Sequence, residues 1–228
     1  MFHRSAAQSG SPRSFALILA TLIVCSSAPA GYDLDRMQQL ALQRYGPHTA
    51  DTVVRWRELI DQLKPLPDIE KLARVNTFFN QLVRWRQDID IWQQHDYWAT
   101  PLETMARREG DCEDFSIAKY MTLLLAGVEV DKMRITYVKA QVGPDSNANQ
   151  AHMVLAYYDS GSADPLILDN MITELRPASR RPDLKPVFSF NSQGLWVGTA
   201  AAPASKDPAA RLSRWRELLQ RMAADGLD

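Results

Sequence analysis

The chain has 228 residues, of which 46% are hydrophobic and 23% charged, and this composition is typical of a globular protein. Lysine and arginine together number 26 against 27 aspartates and glutamates, for a formal net charge of −1. Because a nucleic-acid-binding domain usually carries a basic surplus, this balance argues against nucleic acid as a partner. A chain of this length buries enough apolar surface to fold without a disulfide or a metal.

The first thirty residues differ in composition from the rest. They carry Arg4 and Arg13 but no acidic residue, then an apolar run over residues 15–24 and the sequence Ala-Pro-Ala at 28–30. A basic start, a short apolar run and small residues at a cleavage site are typical of a secretory signal peptide. Residues 1–30 are therefore predicted to direct export and to be removed.

Two alternatives for this segment stay open: an uncleaved membrane anchor, or a lipid attached to Cys25. The second is weakened by Val24, since a small residue usually precedes a lipidated cysteine. Cleavage after Ala30 would leave Cys112 as the single cysteine. A lone thiol in an oxidising compartment cannot form an internal disulfide. By itself such a cysteine indicates a buried, inert residue. The residues around Cys112 must therefore decide whether it has a chemical role.

Helical periodicity dominates the first half of the expected mature chain, and glycine or proline ends most segments. The triplet Arg-Trp-Arg occurs at 55–57, 84–86 and 214–216, each time in a predicted helix. Its irregular spacing argues against an internal repeat and favours a tryptophan on the core side of each helix. The predicted helices are Leu34–Tyr45, Thr52–Leu63, Asp68–Arg86, Pro101–Met105 and Asp111–Leu125.

After Gly127 the apolar pattern changes to that of short strands. Helices first and an antiparallel sheet later predict an α+β fold with a helical N-terminal lobe and a β-sheet lobe. One domain is predicted over 31–228, helical to about 127, β-rich over 128–198, with a C-terminal helix near 207–224. The predicted strands are Met133–Val142, His152–Tyr158, Leu166–Leu168, Val187–Phe190 and Leu195–Val197, and the predicted last helix is Pro208–Ala224.

The segment Gly-Asp-Cys-Glu-Asp at 110–114 is the most informative one for chemistry. It puts Cys112 in the first turn of a predicted helix, where free backbone N–H groups and the helix dipole favour an anion. A thiol in such a place has a lowered pKa and is more nucleophilic at neutral pH. The same amides can stabilise the oxyanion of an acyl transfer.

A cysteine nucleophile needs a base, and the base needs an orienting partner. Of the three histidines after residue 30, His48 lies beside a proline and His95 lies in an aromatic stretch, whereas His152 begins a strand. Asp169 ends the next apolar run. If the two strands pair antiparallel, His152 and Asp169 lie near the same end of the sheet. A histidine there is by itself more often an exposed strand residue, but its combination with Cys112 and Asp169 predicts a catalytic triad.

Three motifs together resemble the bacterial transglutaminase-like cysteine proteinases. The resemblance extends roughly over residues 56–196, and the Asp-Cys-Glu-Asp motif is highly specific. The motifs are Gly-Asp-Cys-Glu-Asp-Phe at 110–115, Ala-His-Met-Val-Leu at 151–155 and Leu-Asp-Asn at 168–170.

The resemblance implies a papain-like, transglutaminase-like cysteine protease fold and assigns a role to each triad residue. Cys112 would be the nucleophile, His152 the general base and acid, and Asp169 the residue that orients the histidine. The same chemistry would serve a transglutaminase-like acyltransferase with an amine acceptor. A non-catalytic module that binds calcium and a partner is the other alternative.

Acidic residues surround the cysteine and need their own explanation. Asp111, Glu113 and Asp114 suit the first turn of a helix, which accounts for one or two of them. Three carboxylates beside a thiolate would raise its pKa and oppose catalysis, and a bound Ca²⁺ would offset this repulsion. The resembled family is calcium-dependent and uses the acids flanking its cysteine. The resemblance thus implies Ca²⁺ at Asp111 and Glu113, with Asp114 as a further expected ligand.

The resemblance also implies a location and two partners. A periplasmic protease of this family would cut a large repeat-containing surface adhesin near its N-terminus, at a site with paired alanines, and so promote biofilm dispersal. An inner-membrane receptor would sequester the protease when cytoplasmic cyclic di-GMP is high. Neither composition nor spacing indicates these roles.

Overall fold

The computed structural model describes Met1 and residues 31–141, 143, 148–159 and 164–227. From Gly31 onward the chain forms one compact unit. The predicted signal peptide falls almost entirely on residues outside the described ones. Within the described part of the chain, no helix is long and apolar enough to cross a membrane.

Helices occupy the N-terminal half and the C-terminus, largely as the periodicity predicts. Gly46, with φ of 87°, separates the first two helices, a conformation that glycine adopts without strain. The predicted last helix is broken at Leu212, which has extended backbone angles. The helices are α1 (Leu34–Tyr45), α2 (Pro47–Leu63), α3 (Asp68–Leu82), α4 (Asp88–Trp92), α5 (Pro101–Arg107), α6 (Cys112–Leu125), α7 (Pro208–Arg211) and α8 (Ser213–Ala224).

The prediction that α3 continues to Arg86 is wrong. Instead Arg84–Trp85 forms strand β1, which pairs in parallel with strand β2 at Glu109–Gly110. The Arg84 N–H donates to the Arg108 carbonyl, and the Arg86 N–H donates to the Gly110 carbonyl. These bonds fasten the chain that leaves α3 to the segment just before Cys112. A partner distant in sequence thus overrides helical propensity.

The sheet has six antiparallel strands in the order β6-β5-β4-β3-β7-β8. Strands β4 and β5 are neighbours, with Leu155 opposite Leu168, so that the residues after β5 lie near the first half of β4. The strands are β3 (Met133–Gln141), β4 (Asn149–Tyr157), β5 (Leu166–Leu168), β6 (Arg176–Pro177), β7 (Leu184–Phe190) and β8 (Leu195–Val197).

The main core lies between one face of the sheet and the helices. Helix α6 is buried almost along its whole length, and the Nε1 of Trp56 in α2 donates to Thr122 of α6 at 2.8 Å. Trp56 and Trp215 are core residues, as the Arg-Trp-Arg pattern predicts, but Trp85 is 56% exposed. The prediction of a core tryptophan is therefore wrong for the middle triplet, which contains Trp85. The predicted α+β fold, a helical lobe against an antiparallel sheet, is confirmed.

Candidate active site

Cys112 is the first residue of α6, with Asp111 as the N-cap. Its sulfur lies between two groups that act on it in opposite ways. The thiol donates to the Glu113 carboxylate at a sulfur–oxygen distance of 3.0 Å, and the Met153 N–H of β4 donates to the sulfur. The start of the helix is thereby held against the strand that carries His152.

His152 and Asp169 contact each other directly. The His152 Nε2 lies 2.8 Å from the Asp169 Oδ1, and both side chains are buried. The pairing of β4 with β5 brings them together, since Asp169 directly follows β5. With Nε2 bound to the carboxylate, Nδ1 is the ring nitrogen that the predicted triad would use to exchange a proton with the Cys112 thiol.

The Asp169 carboxylate is fully buried yet stays ionised. Burial alone would raise its pKa, but hydrogen bonds from His152, the Met171 N–H and Arg181 lower the pKa to about 2. Arg181 is only 3% exposed, and its Nη2 lies 2.9 Å from the Asp169 Oδ2. The same Nη2, together with Nε, also donates to the Asp183 carboxylate.

Sequence reasoning missed Arg181. It lies in an irregular segment twelve residues after Asp169, and no periodicity or motif distinguishes it from its exposed neighbour Arg180. Asn80 of α3 was also missed, although its Nδ2 donates to the Asp169 carbonyl at 2.9 Å. Both residues support the triad aspartate from elements that the motifs do not include.

Cys112 and His152 line a cleft of about 930 Å³. The exposed side chains of Trp85 and Met171 stand beside it, and the stacked rings of Tyr137 and Phe188, 5.2 Å apart, form part of its wall. A cleft of this kind can hold an extended peptide across the thiol. Another cavity, of about 1040 Å³, lies over the other face of the sheet, contains neither Cys112 nor His152, and is lined by Arg181.

Beside the cysteine, acidic side chains form a dense cluster. One ligand atom each from Asp111, Cys112 and Glu113 lies within 4.8 Å of the others, and so do atoms of Asp88, Asp111 and Asp114. The three acids that the sequence suggested are thus brought together. Asp88, in the unpredicted helix α4, was missed because nothing in the sequence places it opposite residue 111.

Asp114 has a structural role within this cluster. It is fully buried, and its carboxylate accepts from the Ala99 N–H at 2.7 Å and from the Asp111 N–H at 3.4 Å. A Cβ on Gly110 would come within 2.7 Å of the Asp114 Oδ2, so only glycine fits there. Asp114 therefore fixes the start of α6, whether or not it also contacts a metal.

The electrostatics of the cluster fit a hard cation. Burial and the Glu113 charge raise the pKa of Asp111 to about 10, and burial raises that of Asp88 to about 7. Burial, Glu113 and Asp111 likewise raise the pKa of the Cys112 thiol. Among the described residues, Asp88 Oδ1 and Asp111 Oδ1 are buried without a hydrogen-bond partner. Clustered carboxylate oxygens with free lone pairs are the donors that Ca²⁺ prefers.

Comparisons with known proteins agree with this geometry. Residues 58–185 match the model of a family described as the bacterial transglutaminase-like cysteine proteinases. That match covers more than half of the chain. The chain belongs to this family. A comparison with curated proteins gave no match.

Solved structures of a family member resemble the chain over most of its length. Legionella pneumophila LapG is 41% identical, over 83% of this chain and 97% of that one, with a TM-score of 0.70. Its calcium-bound form matches with a TM-score of 0.71 over 99% of that chain, and its EGTA-treated form with 0.71 over 97%, both 41% identical over 83% of this chain. The predicted family and fold are confirmed, and the chain is a cysteine peptidase by family. The roles of Cys112, His152 and Asp169, and of the three acids, stay predictions that the geometry supports.

Proposed function

We propose that this protein is a calcium-dependent periplasmic cysteine endopeptidase that cuts a large surface adhesin near its N-terminus. The observation that carries the enzymatic part is that Cys112, at a helix start, lines the same cleft as His152, which is bonded to a buried, ionised Asp169. Membership of a cysteine proteinase family supports the same chemistry.

In the proposed reaction, the Cys112 thiol transfers its proton to His152 Nδ1, and the thiolate attacks the peptide carbonyl carbon. The imidazolium gives that proton to the leaving amine as the peptide bond breaks, which leaves a thioester on Cys112. His152 then takes a proton from water, whose oxygen attacks the thioester. The C–S bond breaks, the acid leaves, and His152 returns its proton to the Cys112 sulfur. Asp169 stabilises the imidazolium and keeps its ring in place.

Calcium would be held by Asp88, Asp111 and Glu113, with Asp114 beside them. When bound, the ion would supply positive charge that offsets the carboxylates around the thiol. The raised pKa values of Asp88, Asp111 and the Cys112 thiol support a need for such charge. The calcium-bound form of the similar LapG structure supports the choice of ion.

The location, substrate and regulator rest on the resemblance to LapG and on the character of residues 1–30. A cleaved signal peptide would deliver the protein to the periplasm. There it would release a repeat-containing adhesin and promote biofilm dispersal. An inner-membrane cyclic di-GMP receptor would hold the protease inactive when the nucleotide is abundant.

The deciding experiment incubates the purified protein with the N-terminal region of a large repeat-containing adhesin from the same organism and resolves the fragments on a gel. The lanes compare calcium, chelator, and the variants Cys112→Ala, His152→Ala and Asp169→Ala. Two fragments in the wild-type calcium lane alone are expected. Loss of a triad aspartate can lower kcat by about 10⁴-fold, so the variants should give no visible product.

Other outcomes separate the alternatives. Full activity of the His152 or Asp169 variant, with the fold intact, would refute that assignment. Cross-linked product with an added amine, in place of two fragments, would indicate an acyltransferase. Calcium binding without cleavage, and without thiol alkylation at neutral pH, would indicate a binding module.

A further inference from the structure

We propose that Arg181 is a positioning residue of the catalytic site, fixing the Asp169 carboxylate so that His152 keeps its proton on Nε2 and presents Nδ1 to Cys112. This inference rests on the proposed function. It adds a fourth residue that the motifs at 110–115, 151–155 and 168–170 do not contain.

The two oxygens of the Asp169 carboxylate contact different partners. Oδ1 lies 2.8 Å from the His152 Nε2 and also accepts the Met171 N–H at 3.0 Å. Oδ2 lies 2.9 Å from the Arg181 Nη2. Because both oxygens are occupied, the carboxylate cannot rotate without breaking a charged hydrogen bond in a buried place. A fixed acceptor at Oδ1 selects the imidazole tautomer that carries its proton on Nε2.

Arg181 is itself held rigidly. Its Nε lies 3.0 Å from the Asp183 Oδ1, and its Nη2, which also contacts Asp169, lies 2.8 Å from the Asp183 Oδ2, so a second carboxylate fixes the guanidinium. With 3% exposure it has no freedom to swing into solvent. An arginine fork suits this bridging role, whereas a lysine ammonium on a flexible stem would reach one carboxylate less well.

The charges around Asp169 come from several elements. His152 faces it from β4, and Arg181 and Asp183 face it from the segment after β6, while Lys119 of α6 acts on it through space. Among these, Arg181 is the cation that contacts the carboxylate directly. Without it, the Asp169 Oδ2 would lose its charged partner and the carboxylate could rotate away from the His152 Nε2. The ring would then no longer be held in the tautomer that leaves Nδ1 for the Cys112 proton.

The test follows the ring nitrogens of His152 by ¹H–¹⁵N NMR in the full chain, as its expression host processes it, with ¹⁵N-labelled histidine. His152→Gln assigns the signal. Wild type is expected to show the His152 tautomer with its proton on Nε2. Arg181→Ala is expected to show a mixture of the two tautomers, and to lower kcat roughly 10- to 100-fold with KM little changed. Arg180→Met, at the exposed neighbouring position, is the matched control and should match wild type in both measurements.

Chemical rescue makes the test specific for position. Arg181 lines the cavity over the other face of the sheet, so small cations from solvent can reach the space that its side chain leaves. Millimolar guanidinium should restore part of kcat and the Nε2–H signal in Arg181→Ala, and should not affect wild type. If Arg181→Ala does not fold, Arg181→Lys takes its place. This variant is expected to lose part of kcat and part of the Nε2–H signal.

Wild-type tautomer and wild-type kcat in the folded Arg181 variant would overturn the inference. So would a loss of activity with an unaltered His152 signal, because that result would assign Arg181 to some other role. The NMR measurement needs no substrate. If wild type cleaves no peptide but its tautomer depends on Arg181, the proposed function fails while the positioning role stands.

Discussion

The two walls of the cleft at Cys112 and His152 bury carboxylates in opposite ways. On the sheet wall, Asp169 has hydrogen-bond donors on both oxygens, and its pKa is lowered to about 2 despite burial. On the helix wall, Asp111 and Asp88 face other acids, and their pKa values are raised to about 10 and about 7. Burial is common to both walls, so the difference comes from the neighbouring charges.

This contrast shows which part of the site the protein completes by itself. Arg181 and His152 balance Asp169 from within the chain. Near Asp111, the described residues supply no cation in contact, and two carboxylate oxygens there are buried without a hydrogen-bond partner. A cation from solution would bring the helix wall to the same balanced state as the sheet wall. Three predictions test this difference between the two walls.

The largest effect is expected from Asp88→Asn. The substitution keeps the shape of the side chain but removes a charge from the cation cluster, so calcium affinity should fall by about 10- to 100-fold. Isothermal titration calorimetry of the metal-free protein measures this directly. Cleavage should need correspondingly more calcium.

Asp90→Asn is the matched control for this prediction. Asp90 lies in the same short helix, α4, but is exposed and pairs only loosely with Arg86 at 3.8 Å. Its substitution should leave calcium affinity unchanged. Equal affinity for wild type and Asp88→Asn would show that Asp88 is not a ligand and that the cluster binds through Asp111 and Glu113 alone.

A second, smaller effect concerns pH and stability. An acid whose pKa is raised on folding holds a proton in the native state that the unfolded state has lost, so stability falls as pH rises through that range. For Asp88 the range runs from its ordinary value of 3.8 to about 7, and for Asp111 from 3.8 to about 10. The metal-free protein should therefore lose stability between about pH 4 and pH 7. Asp169 contributes the reverse, a stability lost only as pH falls from 3.8 to about 2.

Thermal unfolding at several pH values checks this expectation. Saturating calcium should largely remove the loss, since the bound ion keeps the carboxylates ionised in the native state. Asp88→Asn should make the metal-free loss between pH 4 and pH 7 smaller, with the Asp111 part remaining, whereas Asp90→Asn should not change it. A metal-free stability that rises steadily from pH 4 to pH 7 would contradict the raised pKa values of the helix wall.

Much of the fold and the centre of the site could be predicted from sequence. Local patterns suffice for α1, β5 and β8, whose bounds agree with the prediction, and for the start of α6, which Asp111 caps. The pairing of β4 with β5 follows from two apolar runs separated by a polar segment. That pairing is what brings His152 and Asp169 together.

The parts that could not be predicted depend on partners distant in sequence. Trp85 leaves the helical pattern because β1 pairs with β2, twenty-five residues later. Asp88 and Arg181 act through contacts with Asp111 and Asp169 that no spacing rule encodes. A single sequence gives residue types and local periodicity, but it does not give the positions of side chains that meet from irregular segments.

The smallest effect is expected from Lys119→Met. Lys119 lies 1% exposed in α6, and no described residue accepts a hydrogen bond from its Nζ. Burial lowers its pKa to about 7, although the Asp169 charge opposes this. A base with a lowered pKa destabilises the fold fully below that pKa, and the cost disappears as pH rises from about 7 to 10.5. Methionine should therefore raise the unfolding free energy by on the order of 1 kcal/mol at pH 6 and by less at pH 9.

Chemical denaturation at both pH values measures this, with Lys139→Met, at an exposed position of β3, as the control. A loss of stability in Lys119→Met at pH 6 would mean that the Lys119 charge stabilises Asp169 by more than its burial costs, and would place Lys119 beside Arg181 in the balance of the sheet wall.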